Sequence, residues 1–158
     1  MSAIIHATSP ADYQQVRQLF LRYAESLGVS LCFQGFDEEL ATLPGKYAPP
    51  DGCLLLAEHE SRFVGCVGLR KLGDGIGEMK RLYVEPAARG LGLGRQLVEA
   101  IIREARSRGY AFLRLDTLPS MQEAQVLYRA TGFREIAAYC HNPCAEATYM
   151  ELRLKPAD

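Results

Sequence analysis

The order of apolar segments predicts a mixed α/β fold, a mostly antiparallel sheet of six or seven strands flanked by about four helices. Three observations carry this reading. Short apolar runs separated by polar turns recur through the middle of the chain and again near its C-terminal end, as hairpins do. Longer segments between them show helical periodicity and helix-start and helix-stop residues. One stretch alone, strand 78–84 through a helix over 92–108 to strand 110–116, has the spacing of a β-α-β crossover. With 158 residues, 48% of them hydrophobic and 23% charged, the chain suits one domain spanning 1–158 with a sizeable core.

Each element has its own local cause. Residues 3–8 read as a strand. Ser9, Pro10 and Asp12 then supply an N-cap, a first-turn proline and a first-turn acid. Val16, Phe20, Tyr23 and Leu27 keep one helix face apolar until Gly28 stops it. Residues 29–52 are irregular, with a short helix at 37–42, and are broken by Pro44-Gly45 and Pro49-Pro50-Asp51-Gly52. Strands at 53–59, 63–72 and 78–84 follow across short turns. The helix after residue 92 buries Leu93, Leu97, Ile101 and Ala105, pairs Glu99 with Arg103 on its outer face, and ends at Gly109. After strand 110–116, Ser120-Met121-Gln122-Glu123 has the form of a capping box for a helix closed by Gly132. Residues 133–139 and 147–154 make a last antiparallel pair.

Composition removes several function classes. The formal net charge is −1, which gives no sign of a nucleic-acid partner. No apolar run approaches the ~18 residues of a membrane span, and "MSAIIHATSP" lacks the plan of a secretory signal. Five cysteines without paired spacing point to a reducing compartment, so a cytoplasmic location is expected. Cys140, His141 and Cys144 are metal-capable, but a structural zinc site needs paired clusters. His6, His59, Cys32, Cys53 and Cys66 are scattered along the chain, and no metal is expected.

The stretch "PAARGLGLGR" (86–95) is the chemical focus. Gly90, Gly92 and Gly94 alternate just before a helix, where successive free amides and the helix dipole favour an anion. The spacing matches neither the dinucleotide fingerprint nor the nucleotide-triphosphate loop. Arg89 and Arg95 flank it with charge. A tight strand-to-helix turn is the competing reading of the glycines, but three in alternation exceed what a turn needs.

These residues resemble the GNAT superfamily of N-acetyltransferases. Arg89, Gly92 and Gly94 fit its signature [Q/R]-x-x-G-x-[G/A]. "LYVEPAARG" is similar to the strand end and proline found before that signature, and "AQVLYRATGF" is similar to its A-x-x-L-Y-x-x-x-G-F segment. The best-matched region runs from 78 to 133. The resemblance implies the GNAT fold, with the sheet splayed between its two central parallel strands, and acetyl-CoA as donor. It implies cofactor contacts from Leu82, Tyr83, Val84, Arg89, Gly90, Leu91, Gly92, Leu93, Gly94 and Arg95, with the Val84 amide polarising the thioester carbonyl. Many relatives place an asparagine where this chain has Met121, so no side-chain bond to the cofactor is expected there. A homodimer is a common arrangement in the family.

Transfer needs a neutral amine, and an alkyl amine with a pKa of about 10.4 is mostly charged at neutral pH. The resemblance gives Tyr128 the role of general acid toward the departing sulfur; a core aromatic on the Met121–Ala124–Tyr128 stripe is the alternative. Glu78 is the base candidate, with ordered water the alternative. Strand alternation sets Glu78, Lys80, Leu82 and Val84 on one side unless a bulge intervenes. The segments 29–48 and 139–147 are the expected walls of the acceptor pocket, through Phe33, Gln34, Phe36, Tyr139, His141 and Asn142. Asp37, Glu38 and Glu39 read as helix N-terminal acids. The expected acceptor is a small primary amine, an amino acid or related metabolite whose carboxylate pairs with Lys80 or Arg81. A protein amine, or a non-catalytic acyl-CoA sensor, are the alternatives.

Overall fold

The computed structural model describes residues 2–27, 35–140 and 146–155. Seven strands form one mixed sheet: β1 (Ser2–His6), β2 (Cys53–His59), β3 (Arg62–Gly73), β4 (Ile76–Val84), β5 (Phe112–Thr117), β6 (Arg134–Ile136) and β7 (Thr148–Arg153). Their order across the sheet is β1-β2-β3-β4-β5-β7-β6. Every neighbouring pair is antiparallel except β4 with β5.

Helices α1 (Pro10–Leu27) and α2 (Phe36–Ala41) cover one face, and α3 (Leu93–Ser107) and α4 (Gln122–Ala130) the other. Alternation along each strand feeds the two layers. Leu55, Val67, Leu69, Leu113 and Leu115 pack under α3 and α4, with Leu97 and Ile101 fully buried against them. Leu54, Leu56 and Cys66 face α1, meeting Val16, Leu19 and Phe20.

The sequence expectations hold for element order and type, with local corrections. The Ser9 hydroxyl accepts from the Asp12 amide at 3.1 Å, and Asp12 Oδ2 accepts from the amides of Thr8 and Ser9, so the start of α1 is a reciprocal cap. No such box opens α4. Met121, not Ser120, is its N-cap, and no side chain bonds there, because the chain first turns through a Met121 N–H to Leu118 carbonyl bond. On α3, Glu99 accepts from Arg95 Nε at 2.9 Å instead of pairing with Arg103. The strand expected at 133–139 pairs over three residues only. Beyond Ile136 the chain leaves the sheet, and Tyr139 crosses to Glu78.

Two features open the middle of the sheet. β4 and β5 pair only through Ile76–Phe112, Gly77–Leu113 and Glu78–Arg114, although the strands run on to Val84 and Thr117. On the other edge of β4, the register with β3 slips between Gly68–Lys80 and Cys66–Tyr83. Arg81 sits at that slip with φ +63°, a left-handed conformation costing a non-glycine residue about 1 kcal/mol. The result is a β-bulge, which reverses the alternation.

Candidate active site

The bulge corrects the expectation that Glu78, Lys80, Leu82 and Val84 share a side. Before it, Met79 packs under α3, and Glu78 and Lys80 belong to the opposite face. After it, Leu82 and Val84 pack with the α3 layer and Tyr83 with the α1 layer. Glu85 donates its amide to Val64 on β3, so the two-residue alternation turns the amide of Val84 away from β3, toward the opening.

A groove of about 670 Å³ runs along this opening. It is lined by Leu82, Tyr83 and Val84 from β4, by Arg89, Gly90, Gly92, Leu93 and Gly94, and by Met121, Gln122, Glu123, Ala124 and Leu127 from α4 and its N-cap. Gly90 and Gly92 have φ of +87° and +79°, and a Cβ on either would meet no protein atom within 4 Å. Their dihedrals require glycine, and the space above them is open for a ligand to approach the backbone. Gly92 is also the N-cap of α3, so the first free amides of that helix face the groove mouth.

Two of the expected loop contacts lie elsewhere. Leu91 is 49% exposed and does not line the groove. Arg95 is drawn along α3 by Glu99. Arg89 lines the groove, and its Nε donates to the Val84 carbonyl at 3.0 Å, tying the glycine turn to the end of β4.

Tyr128 is buried on α4, its ring 5.8 Å from that of Phe133. Burial, then the proximity of Tyr23 and Asp116, pushes its hydroxyl above the ordinary tyrosine range, so it stays protonated at neutral pH. Tyr23 comes from α1, on the other face of the sheet, and itself lines the groove. Burial raises it to about 12, with Arg81 opposing. Two tyrosines from opposite layers thus lie near the same opening. Tyr23 reads in sequence only as part of the apolar face of α1.

Glu78 occupies the vertex, the last β4 position paired with β5. Its carboxylate accepts from Arg70 Nε at 2.8 Å and from the Tyr139 hydroxyl at 2.7 Å. It belongs to a registered row of alternating charge across five strands: Arg70, Glu78, Arg114, Glu151 and Arg134. Arg114 Nε donates to Glu151 at 2.7 Å, and its guanidinium lies 5.5 Å from the Tyr139 ring centroid. One step further into the opening, Lys80 Nζ is 3.5 Å from Asp116 Oδ1. Tyr139 therefore flanks the vertex, bonded to Glu78 and with its ring near Arg114.

Phe36 and Arg81 are not exposed walls. Phe36 is buried in the α1 layer with its ring 5.2 Å from the Arg81 guanidinium, and Arg81 is held by both oxygens of Glu39 at 3.1 Å. An acceptor carboxylate thus finds Arg81 already committed. Asp37, Glu38 and Glu39 do occupy the first turn of α2, but Glu39 also reaches Arg81, a contact no sequence spacing announces. Phe33, Gln34, His141 and Asn142 lie outside the described residues, as does Cys144.

The metal-capable groups are less scattered than their spacing suggests. His6, Cys53 and Glu104 bring ligand atoms within 4.8 Å of one another, on β1, β2 and the far end of α3. Arg108 Nη1 already bonds Glu104 at 2.7 Å, and burial pushes the Cys53 thiol up to about 12, so the group reads as an ion cluster beside a protonated thiol.

The sequence model of the Acetyltransferase (GNAT) family matches residues 13–133. An uncharacterized N-acetyltransferase of Schizosaccharomyces pombe is 41% identical over 147 residues, 92% of this chain and 90% of that protein. Among solved structures, a GNAT-family acetyltransferase of Staphylococcus aureus aligns with a TM-score of 0.81 at 20% identity, over 98% of this chain and 100% of that one. An acetyltransferase of Salmonella typhimurium, solved with its cofactor acetyl-CoA, aligns with a TM-score of 0.75 at 21% identity, over 100% and 96% of the two chains.

Proposed function

The chain belongs to the GNAT acetyltransferase family and is an N-acetyltransferase, and from that premise we propose that it transfers the acetyl group of acetyl-CoA to a primary amine of a small molecule, an amino acid or related metabolite, by direct attack in a ternary complex. The observation that carries this is the opening between β4 and β5, with the glycine turn at its mouth and Glu78 at its vertex.

In this reading the amides at Gly90–Gly94 hold the pyrophosphate, and the pantetheine arm lies in the groove against Leu82, Tyr83 and Val84. The Val84 amide donates to the thioester carbonyl as negative charge develops there. The acceptor enters from the α1 face. Its ammonium gives up a proton through the Tyr139 hydroxyl to Glu78, Tyr139 passing its own proton on as it takes the new one. The neutral nitrogen attacks the carbonyl carbon, an N–C bond forms and the C–S bond breaks. Tyr128 donates its proton to the departing sulfur, the nitrogen sheds its surplus proton to restore the Tyr128 hydroxyl, and Glu78 returns the proton it took to solvent as the amide and free CoA leave.

The charges around the vertex support a small, nearly neutral acceptor. Arg70 with Glu78, Lys80 with Asp116, Arg81 with Glu39, and Arg114 with Glu151 pair cation with anion throughout. Such a pocket offers a polycation no excess of negative charge. Following thiol release from acetyl-CoA across a panel of amines tests the assignment. Release with small primary amines is the expected result. Release with none of them, from a protein that binds acetyl-CoA, removes the small-molecule acceptor.

A further inference from the structure

We propose that Glu39 is a positioning residue for acyl transfer: through Arg81 it holds the β4 bulge in its left-handed form and so aims the Val84 amide into the opening. The proposal rests on the reading of that opening as the acetyl-CoA site.

The backbone problem is specific. β4 must change phase between Lys80 and Tyr83, and the chain does so at an arginine, not a glycine. An arginine with φ +63° persists where its surroundings over-determine it. They do so here. Arg81 is 3% exposed. Its Nε and Nη2 each donate to one oxygen of Glu39 at 3.1 Å, a two-pronged bond that fixes the plane of the guanidinium. The Phe36 and Tyr23 rings lie 5.2 and 6.0 Å from its Cζ. The Arg81 carbonyl accepts from the Cys66 thiol at 3.4 Å.

Glu39 is anchored in turn. The Tyr47 hydroxyl donates to Glu39 Oε2 at 3.0 Å. The Tyr47 ring lies over Gly68, where a Cβ would come within 2.7 Å of it. Gly68 is the β3 partner of Lys80, at the start of the register slip. The contacts therefore close a loop: β3 seats Tyr47, Tyr47 orients Glu39, Glu39 grips Arg81, and Arg81 is the bulge. The amide aimed into the opening lies three residues further along the same strand.

The test separates backbone aim from simple stability. Acetyl-CoA binding is measured by calorimetry, and the carbonyl resonance of bound [1-13C]acetyl-CoA reports how strongly that oxygen is polarised. Glu39→Gln, checked for folding by thermal melting, is expected to weaken acetyl-CoA binding about tenfold and to move the carbonyl resonance toward its value in free acetyl-CoA. Arg81→Gly adopts a positive φ without strain and needs no grip. The double variant Glu39→Gln/Arg81→Gly is therefore expected to recover both readouts, even where its melting temperature remains low. Unchanged binding and resonance in folded Glu39→Gln overturn the proposal, as does a double variant no better than the single one. Should Glu39→Gln not fold, Glu39→Asp, which withdraws the carboxylate by one methylene, carries the same comparison. If the wild-type protein itself does not bind acetyl-CoA, it is the reading of the opening that fails.

Discussion

The roles proposed for Tyr128 and Gly92 rest on a single hydroxyl and a single dihedral angle, so each can be tested by a one-residue change. Tyr128→Phe keeps the ring and its contact with Phe133 and removes only the proton donor. Turnover is expected to fall roughly 10²-fold or more while acetyl-CoA affinity changes little, as steady-state kinetics and calorimetry would show. Near-normal turnover would make Tyr128 a core aromatic. At Gly92, φ is +79° and nothing in the protein lies within 4 Å of an added Cβ. Gly92→Val therefore meets backbone strain of about 1 kcal/mol but no protein clash. Its larger effect is expected on the ligand side, as a strongly raised KM for acetyl-CoA in a protein that still folds. An unaltered KM would end the argument that the turn cradles phosphate.

Individual elements show what one sequence can and cannot announce. The start of α1 was legible because Ser9, Pro10 and Asp12 satisfy local bonding rules that need no tertiary partner. The Thr8 amide bond first, with those of Ser9, outweighs burial and lowers the Asp12 carboxyl below its ordinary value of 3.8. A depressed carboxyl contributes stability above its unfolded pKa and loses it as pH falls through the folded one. Asp12→Asn should thus lower the melting temperature at neutral pH, and the difference from wild type should vanish in acid below the folded pKa. A difference independent of pH would exclude the carboxylate as its source. The bulge in β4 was not legible. Alternation predicts a continuous phase along "EMKRLYV", and the residue that breaks it is an arginine whose left-handed conformation depends on Glu39, 42 positions earlier. The same limit applies to the charged row at the vertex. Arg70, Arg114 and Glu151 read singly as solvated strand residues, Glu78 alone stands out as a base candidate, and only sheet order aligns the four.

At the scale of the molecule, the hairpins and the crossover were legible because short turns and one long connection leave few ways to join neighbouring strands, whereas the full order, with β7 between β5 and β6, is set only by the assembled sheet. Acceptor choice depends on what the assembled layers enclose, and here the structure alters the expectation from sequence. Arg81 is held by both oxygens of Glu39 and Lys80 by Asp116, and of these two cations it is Lys80 that stands beside the opening, within reach of an acceptor carboxylate. Lys80 is mostly buried next to Asp116, so a carboxylate approaching Nζ would form a charge-assisted bond with little competition from solvent. The amine of the same acceptor would then lie toward Tyr139 and Glu78, two residues back along β4. A panel pairing amino acids with their decarboxylated amines, and adding aminoglycosides and short peptides, separates the possibilities. Amino acids are expected to react fastest. Lys80→Met is expected to raise their KM about tenfold while leaving that of the decarboxylated amines nearly unchanged. If decarboxylated amines or aminoglycosides outpace every amino acid, Lys80 does not read a carboxylate. If peptides alone react, the acceptor is a protein amine, and the balanced charges at the vertex serve the fold of the sheet, not the choice of a small molecule.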